Sequence, residues 1–126
     1  AARTMLGQMH DSQSALIVIT SLRTNDLPTD QLATLAVTAD KAWLVQTPYT
    51  DLHPLPNGMG DVFSAVLLGH LIQGKAVPDA VSQAVSTLYA LVSSTVSGQR
   101  DLPLVACRDQ ITQPAQTFAA VPVATA

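Results

Sequence analysis

Gly58-Met59-Gly60-Asp61 sets two glycines and a carboxylate at the start of a segment with helical periodicity. Glycine permits backbone conformations closed to other residues, and its missing side chain lets a ligand approach the main chain. The first N–H groups of a helix have no internal partner, and the helix dipole is positive at that end. The pattern therefore predicts an anion site. A dipole contact alone contributes about 0.3–1 kcal/mol at a surface. Preorganised donors facing charge that develops in a transition state contribute about 3–4 kcal/mol. The arrangement thus suits phosphoryl transfer better than phosphate storage. Asp61 adds a proton acceptor. A carboxylate is a weak base, so much of its work would be to orient a substrate hydroxyl towards phosphorus. Taken alone, the tetrapeptide is weak evidence for chemistry and fits a plain N-cap aspartate better.

The elements that must position these residues can be read along the chain. Residues 2–12 read as a short helix through Met5, Leu6 and Met9. Ala15 to Thr20 is a continuous apolar, β-branched run, the composition of a strand buried on both faces of a parallel sheet. Asn25, Asp26, Pro28 and Asp30 mark a loop. Leu32–Val37 and Ala42–Gln46 read as an antiparallel hairpin turning at Thr38–Lys41. Three prolines make residues 47–57 irregular. A helix then carries Val62, Ala65, Val66, Gly69 and Ile72 on its apolar face, with Gly74 as its stop signal. Pro78-Asp79 opens another, whose inner face is Val81, Ala84, Val85, Leu88 and Val92 and which runs to Gly98. A short element near 104–111 and an extended, edge-paired or frayed tail near 118–123 complete the chain. The fold class is α/β, with a ligand expected at the carboxyl ends of the strands.

Bulk properties exclude several functions. Of 126 residues, 48% are hydrophobic and 12% charged, so the chain can build a core. A net charge of −3 and six scattered basic residues argue against nucleic-acid binding. The single cysteine, Cys107, rules out an internal disulfide and reads as a small buried hydrophobe. His10, His53 and His70 show no metal-ligand spacing. His70 lies nine residues beyond Asp61, about 13 Å along a helix, and reads as structural. His53 reads as exposed, Trp43 as a packed hairpin residue, and Tyr89 as a core-edge residue. No apolar run is long enough for a membrane span, and no signal peptide is indicated. The expected location is the cytoplasm.

The stretch Asn57 to His70, NGMGDVFSAVLLGH, resembles the signature of the ribokinase-like superfamily, in its pyridoxal kinase branch. Ile17–Leu22, Val37–Trp43, Asp109–Ile111 and the Phe118 segment extend the resemblance from residue 1 to Val123. It implies the C-terminal portion of a three-layer fold with a mostly parallel sheet flanked by helices, spanning residues 1–126. It implies ATP-dependent phosphorylation of the 5′-hydroxymethyl group of pyridoxal, pyridoxine or pyridoxamine in vitamin B6 salvage. Asp61 would be the catalytic base and contact the substrate, and Gly58, Met59 and Gly60 would form the anion hole. Thr20 and Ser21 would contact nucleotide phosphates, and Thr47, Pro48, Tyr49 and Thr50 would run beside adenine and ribose. Mg²⁺ would come with ATP, a monovalent cation is a candidate helper, and the full-length protein would be a homodimer. In that family the metal contacts would run largely through phosphates and water rather than through a protein ligand.

This chain departs from that pattern in two ways. Met59 stands where many relatives carry Thr or Val, which removes a hydroxyl contact but keeps the backbone donor. Family members are also roughly twice as long, and the absent half would hold most of the pyridoxal pocket. The isolated chain is therefore expected to have little or no kinase activity. The alternatives are another ribokinase-like kinase, for hydroxymethylpyrimidine or a sugar, and a non-catalytic remnant.

Overall fold

The computed structural model describes residues 1–124. The elements follow the order α1 (Ala2–Gly7), β1 (Ile17–Leu22), β2 (Gln31–Val37), β3 (Ala42–Pro48), α2 (Met59–Ile72), α3 (Val77–Ser93), α4 (Asp109–Thr112) and β4 (Val121–Pro122). The strands form one sheet in the order β1-β2-β3-β4.

The α/β class stands, but strand direction needs correction. Each neighbouring pair among the described residues is antiparallel. For β1–β2 and β2–β3 the physical reason is connection length. Short links join β1 to β2 and β2 to β3, whereas parallel neighbours need a crossover of a dozen residues or more. Between residues 38 and 41 the chain turns tightly, with the Thr38 N–H donating to the Lys41 carbonyl at 2.9 Å.

The two faces of the sheet follow the strand period of two. Val18, Ala36, Trp43 and Val45 join Phe63 and Leu67 of α2 and Ala80, Val81, Ala84 and Val85 of α3 in the main core. Ile17, Ile19, Leu35, Val37 and Ala42 face the other way and pack with Ala2 and Leu6 of α1. Register ties the faces together, since Val18 pairs with Ala36, and Ala36 with Trp43. The first helix stops at Gly7, short of the expected residue 12.

α2 begins and ends on glycines in the left-handed region. Gly58 is its N-cap at φ 79°. At the other end Gly74, at φ 83°, donates to the Leu71 carbonyl while the Lys75 N–H donates to that of His70. This is the paired closure that a C-terminal glycine makes possible. The buried face of α2 differs from the expected one. Phe63, Leu67 and His70 are buried, whereas Ala65 is exposed and Ile72 is 76% exposed. Apolar residues surround this helix almost completely, so periodicity cannot choose a face.

α3 matches its expected inner face at Val81, Ala84 and Val85, with Leu88 and Val92 half-buried. It ends at Ser93 rather than at Gly98. Ser94 and Thr95 return their hydroxyls to the Ala90 and Leu91 carbonyls and satisfy the last turn. Small polar residues on α3 clasp the C-terminal segment. The Ser86 hydroxyl accepts from the Phe118 N–H at 2.9 Å, and Thr87 donates to the Gln110 carbonyl. The Phe118 ring meets Tyr89 edge-on at 4.7 Å. β4 then pairs with β3.

His70 is 9% exposed, and its Nδ1 has no hydrogen-bond partner. Burial, followed by the nearby Lys75 charge, lowers its pKa. The unfolded chain therefore takes up this proton first as pH falls. The stability due to neutral His70 is fully present above about pH 6.5 and declines as pH drops through that value towards the lower folded pKa. Urea midpoints at pH 8 and pH 5.5 should differ more for the wild type than for His70→Leu. Equal differences would remove His70 from the pH response.

Candidate active site

A cavity of about 380 Å³ lies where β1, β2, β3, α2 and α3 meet. Its polar lining includes Thr20, Ser21, Thr34, Thr47 and Thr50, and its apolar lining includes Phe63, Val85, Leu88, Tyr89 and Val92. All six residues expected to contact nucleotide, Thr20, Ser21, Thr47, Pro48, Tyr49 and Thr50, line this one space. Met59 and Gly60 line it too, whereas Gly58 and Asp61 lie outside the lining.

Local backbone chemistry explains how these segments arrive. In β1, Ile19 pairs with Leu35 and Leu22 with Ala33, so three steps on β1 face two on β2. This one-residue bulge falls at Thr20 and Ser21. Bulges bend a strand and re-aim its side chains, and they gather beside active sites. Ser21 sits at φ 56°, the left-handed region where a non-glycine residue costs about 1–2 kcal/mol. Such strain is a pointer to function because the surrounding structure must hold it. Thr47 comes from the last turns of the β3 ladder, opposite Leu32. The Tyr49 N–H donates to the Asp30 carbonyl at 2.8 Å, which fixes the chain after β3 against the β1–β2 loop.

The helix start completes the cavity. The Val62 N–H donates to the Gly58 carbonyl at 2.9 Å, the first bond of the α2 ladder. The amides of Met59, Gly60 and Asp61 precede that bond and are the helix's unsatisfied donors. Asp61 is the third helical residue and exposed. Since Gly58 is the N-cap, Asp61 is not a capping aspartate. Its carboxylate is instead a first-turn charge, free for other work.

The two glycines serve different needs. Gly58 requires its positive φ, while an added Cβ would meet no protein atom at either Gly58 or Gly60. Gly58→Ala should therefore lower stability by about 1–2 kcal/mol. Gly60→Ala should leave the denaturation midpoint within about 0.5 kcal/mol, yet weaken ADP binding measured by calorimetry. Unchanged binding in Gly60→Ala would remove the need for close backbone approach there.

Sequence reasoning did not single out Arg23, Leu32, Thr34, Leu55, Phe63, Val85, Leu88, Tyr89 and Val92 for this lining. The helical face Val85, Leu88 and Val92 was legible as apolar, but nothing showed that its outer half borders a cavity. Tyr89, read as a core-edge residue, packs on Phe118 and also lines the space. His53 is exposed and pairs with Asp51 at 2.8 Å, away from the lining. His70 is buried on the inner side of α2. Cys107 is half-buried, and Trp43 is half-buried against the main core.

Among the described residues, no group of three or more His, Cys, Asp or Glu converges on a point that could hold a metal ion. Also among the described residues, no helix is long and apolar enough to cross a membrane.

The chain is 33% identical over 121 residues to pyridoxal kinase PdxY of Deinococcus radiodurans, covering 95% of this chain and 41% of that protein. It is a pyridoxal kinase relative. The pyridoxal kinase PdxY of Rubrobacter xylanophilus gives 34% identity over 124 residues and 42% of its length. The chain thus spans about two fifths of the curated pyridoxal kinases it matches. A pyridoxal kinase from Leishmania donovani in complex with ADP and pyridoxine superposes with a TM-score of 0.74 at 25% identity, over 86% of this chain and 39% of that one. No family model matches the chain. The fold is that of the ribokinase-like pyridoxal kinases, with the antiparallel strands described above.

Proposed function

We propose that this chain is the C-terminal part of a ribokinase-like kinase domain that phosphorylates the 5′-hydroxymethyl group of pyridoxal, pyridoxine or pyridoxamine with ATP. The observation that supports it most is the convergence of Thr20, Ser21, Thr47–Thr50, Met59 and Gly60 on one cavity at the start of α2. The curated relatives are named pyridoxal kinases. The Leishmania enzyme binds ADP and pyridoxine.

In this reading Thr20 and Ser21 contact the nucleotide phosphates, while Thr47 to Thr50 and the apolar wall from α3 lie beside adenine and ribose. The amides at Gly58, Met59 and Gly60 receive the charge that builds on the transferred phosphoryl group. Asp61 orients the substrate hydroxyl and accepts its proton as the oxygen attacks phosphorus. Mg²⁺ would offset phosphate charge while held largely by the nucleotide and water. The longer protein would be a cytoplasmic homodimer.

The isolated chain should have little or no activity. β1 is an edge strand, and Leu68 and Ile72 on α2 are 57% and 76% exposed. Open edges and apolar faces are signs of a body that packs against more protein. The test is a phosphorylation assay on a longer protein that includes the upstream region its relatives possess. Preference for pyridoxal-type substrates is expected. Preference for hydroxymethylpyrimidine or a sugar would overturn the substrate assignment, and rapid turnover by the 126-residue chain would overturn the predicted inactivity.

A further inference from the structure

Of the seventeen residues that line the cavity, Arg23 is the one with a formal charge. It follows β1 directly and reaches the cavity from the β1–β2 loop. Its guanidinium lies over the Tyr49 ring, 4.7 Å from the centroid. One of its Nη2 hydrogens goes to the Thr29 carbonyl at 2.8 Å. An aromatic face and a carbonyl therefore hold the side chain in place before any ligand arrives. Five N–H donors belong to the group and one is used, which leaves a fork suited to phosphate oxygens.

We propose that Arg23 binds the polyphosphate of the nucleotide and that Tyr49 positions it. This rests on the reading that the cavity takes a nucleotide, and it deepens that reading. Every other lining side chain is neutral, so Arg23 is the one side chain of this lining that can meet phosphate charge directly. A preplaced guanidinium at the rim adds counter-charge to that of the metal. Tyr49 adds no charge. Its ring face limits where the guanidinium can go, and its backbone bond to Asp30 ties the same loop to the end of β3.

Calorimetric titration of the 126-residue chain with ADP, and separately with adenosine, tests this. Wild type should bind ADP more tightly than adenosine. Arg23→Gln should weaken ADP about tenfold, the size of a lost charged hydrogen bond, and leave adenosine within about twofold of wild type. Arg23→Lys should retain part of the ADP affinity. Tyr49→Phe, which keeps the ring face, should behave as wild type, and Tyr49→Leu should lose more affinity for ADP than for adenosine. If Arg23→Gln leaves ADP binding unchanged, the phosphate role is wrong while the nucleotide reading stands. If it weakens adenosine as much as ADP, Arg23 stacks on the base and the assignment is overturned. If wild type binds neither compound, the nucleotide reading falls and takes the Arg23 assignment with it.

Discussion

Asp61→Ala, made in a longer protein that carries the upstream region, is expected to lower kcat by about 10²–10⁴-fold, the usual contribution of a positioned base. Nucleotide affinity should change little. Asp61 lies outside the cavity lining, and α2 starts on Gly58 rather than on this carboxylate. The loss should therefore appear in turnover rather than in the ADP dissociation constant. Its effect on helix stability should be small, about 0.3–1 kcal/mol for a first-turn charge on an exposed dipole. A variant that turns over like wild type would reduce Asp61 to a dipole partner.

The second large effect concerns stability. Phe63→Ala should cost about 3–5 kcal/mol, a large share of the roughly 5–15 kcal/mol that holds a domain together. Phe63 is 6% exposed, sits in the main core beside Val45 and Val81, and also lines the cavity. Its removal merges a packing void with the ligand space, so ADP binding should weaken along with folding. Ile72→Ala provides the contrast. Ile72 is 76% exposed, and the substitution should shift the urea midpoint by no more than about 0.5 kcal/mol. Equal costs for the two variants would mean that α2 buries the face carrying Ile72, as its sequence first suggests.

That contrast shows where the sequence was readable and where it was not. Turn and cap chemistry is local, so the Thr38–Lys41 turn, the stop at Gly74 and the helix start after Gly58 could be placed from residue types alone. Choosing the inner face of α2 needed more, because Val66, Leu67, Leu68, Leu71 and Ile72 leave hardly any polar side. Strand direction depends on which segments pair, and the apolar run of β1 suggested a parallel interior strand. The structure instead makes β1 an antiparallel edge.

The candidate site divides in the same way. Gly58 to Asp61 reads by itself as a helix start beside an anion site, and the family resemblance supplied the catalytic role of Asp61. Thr20, Ser21 and Thr47–Thr50 came from family resemblance, and they now surround one cavity. Nothing in the Ser21 neighbourhood forecasts a bulge with positive φ. Arg23 and Tyr49 are distant in sequence, so their stacking emerges only when the β1–β2 loop folds over the end of β3.

The central claim is that the end of β1 and the start of α2 receive nucleotide phosphate. Backbone amide shifts, followed by NMR while ADP is titrated into the 126-residue chain, test it most directly. The largest changes should fall on Thr20, Ser21, Tyr49, Met59, Gly60 and Asp61, with α1 and α4 nearly silent. Saturating shifts centred on another part of the chain, or none at millimolar ADP, would contradict the account.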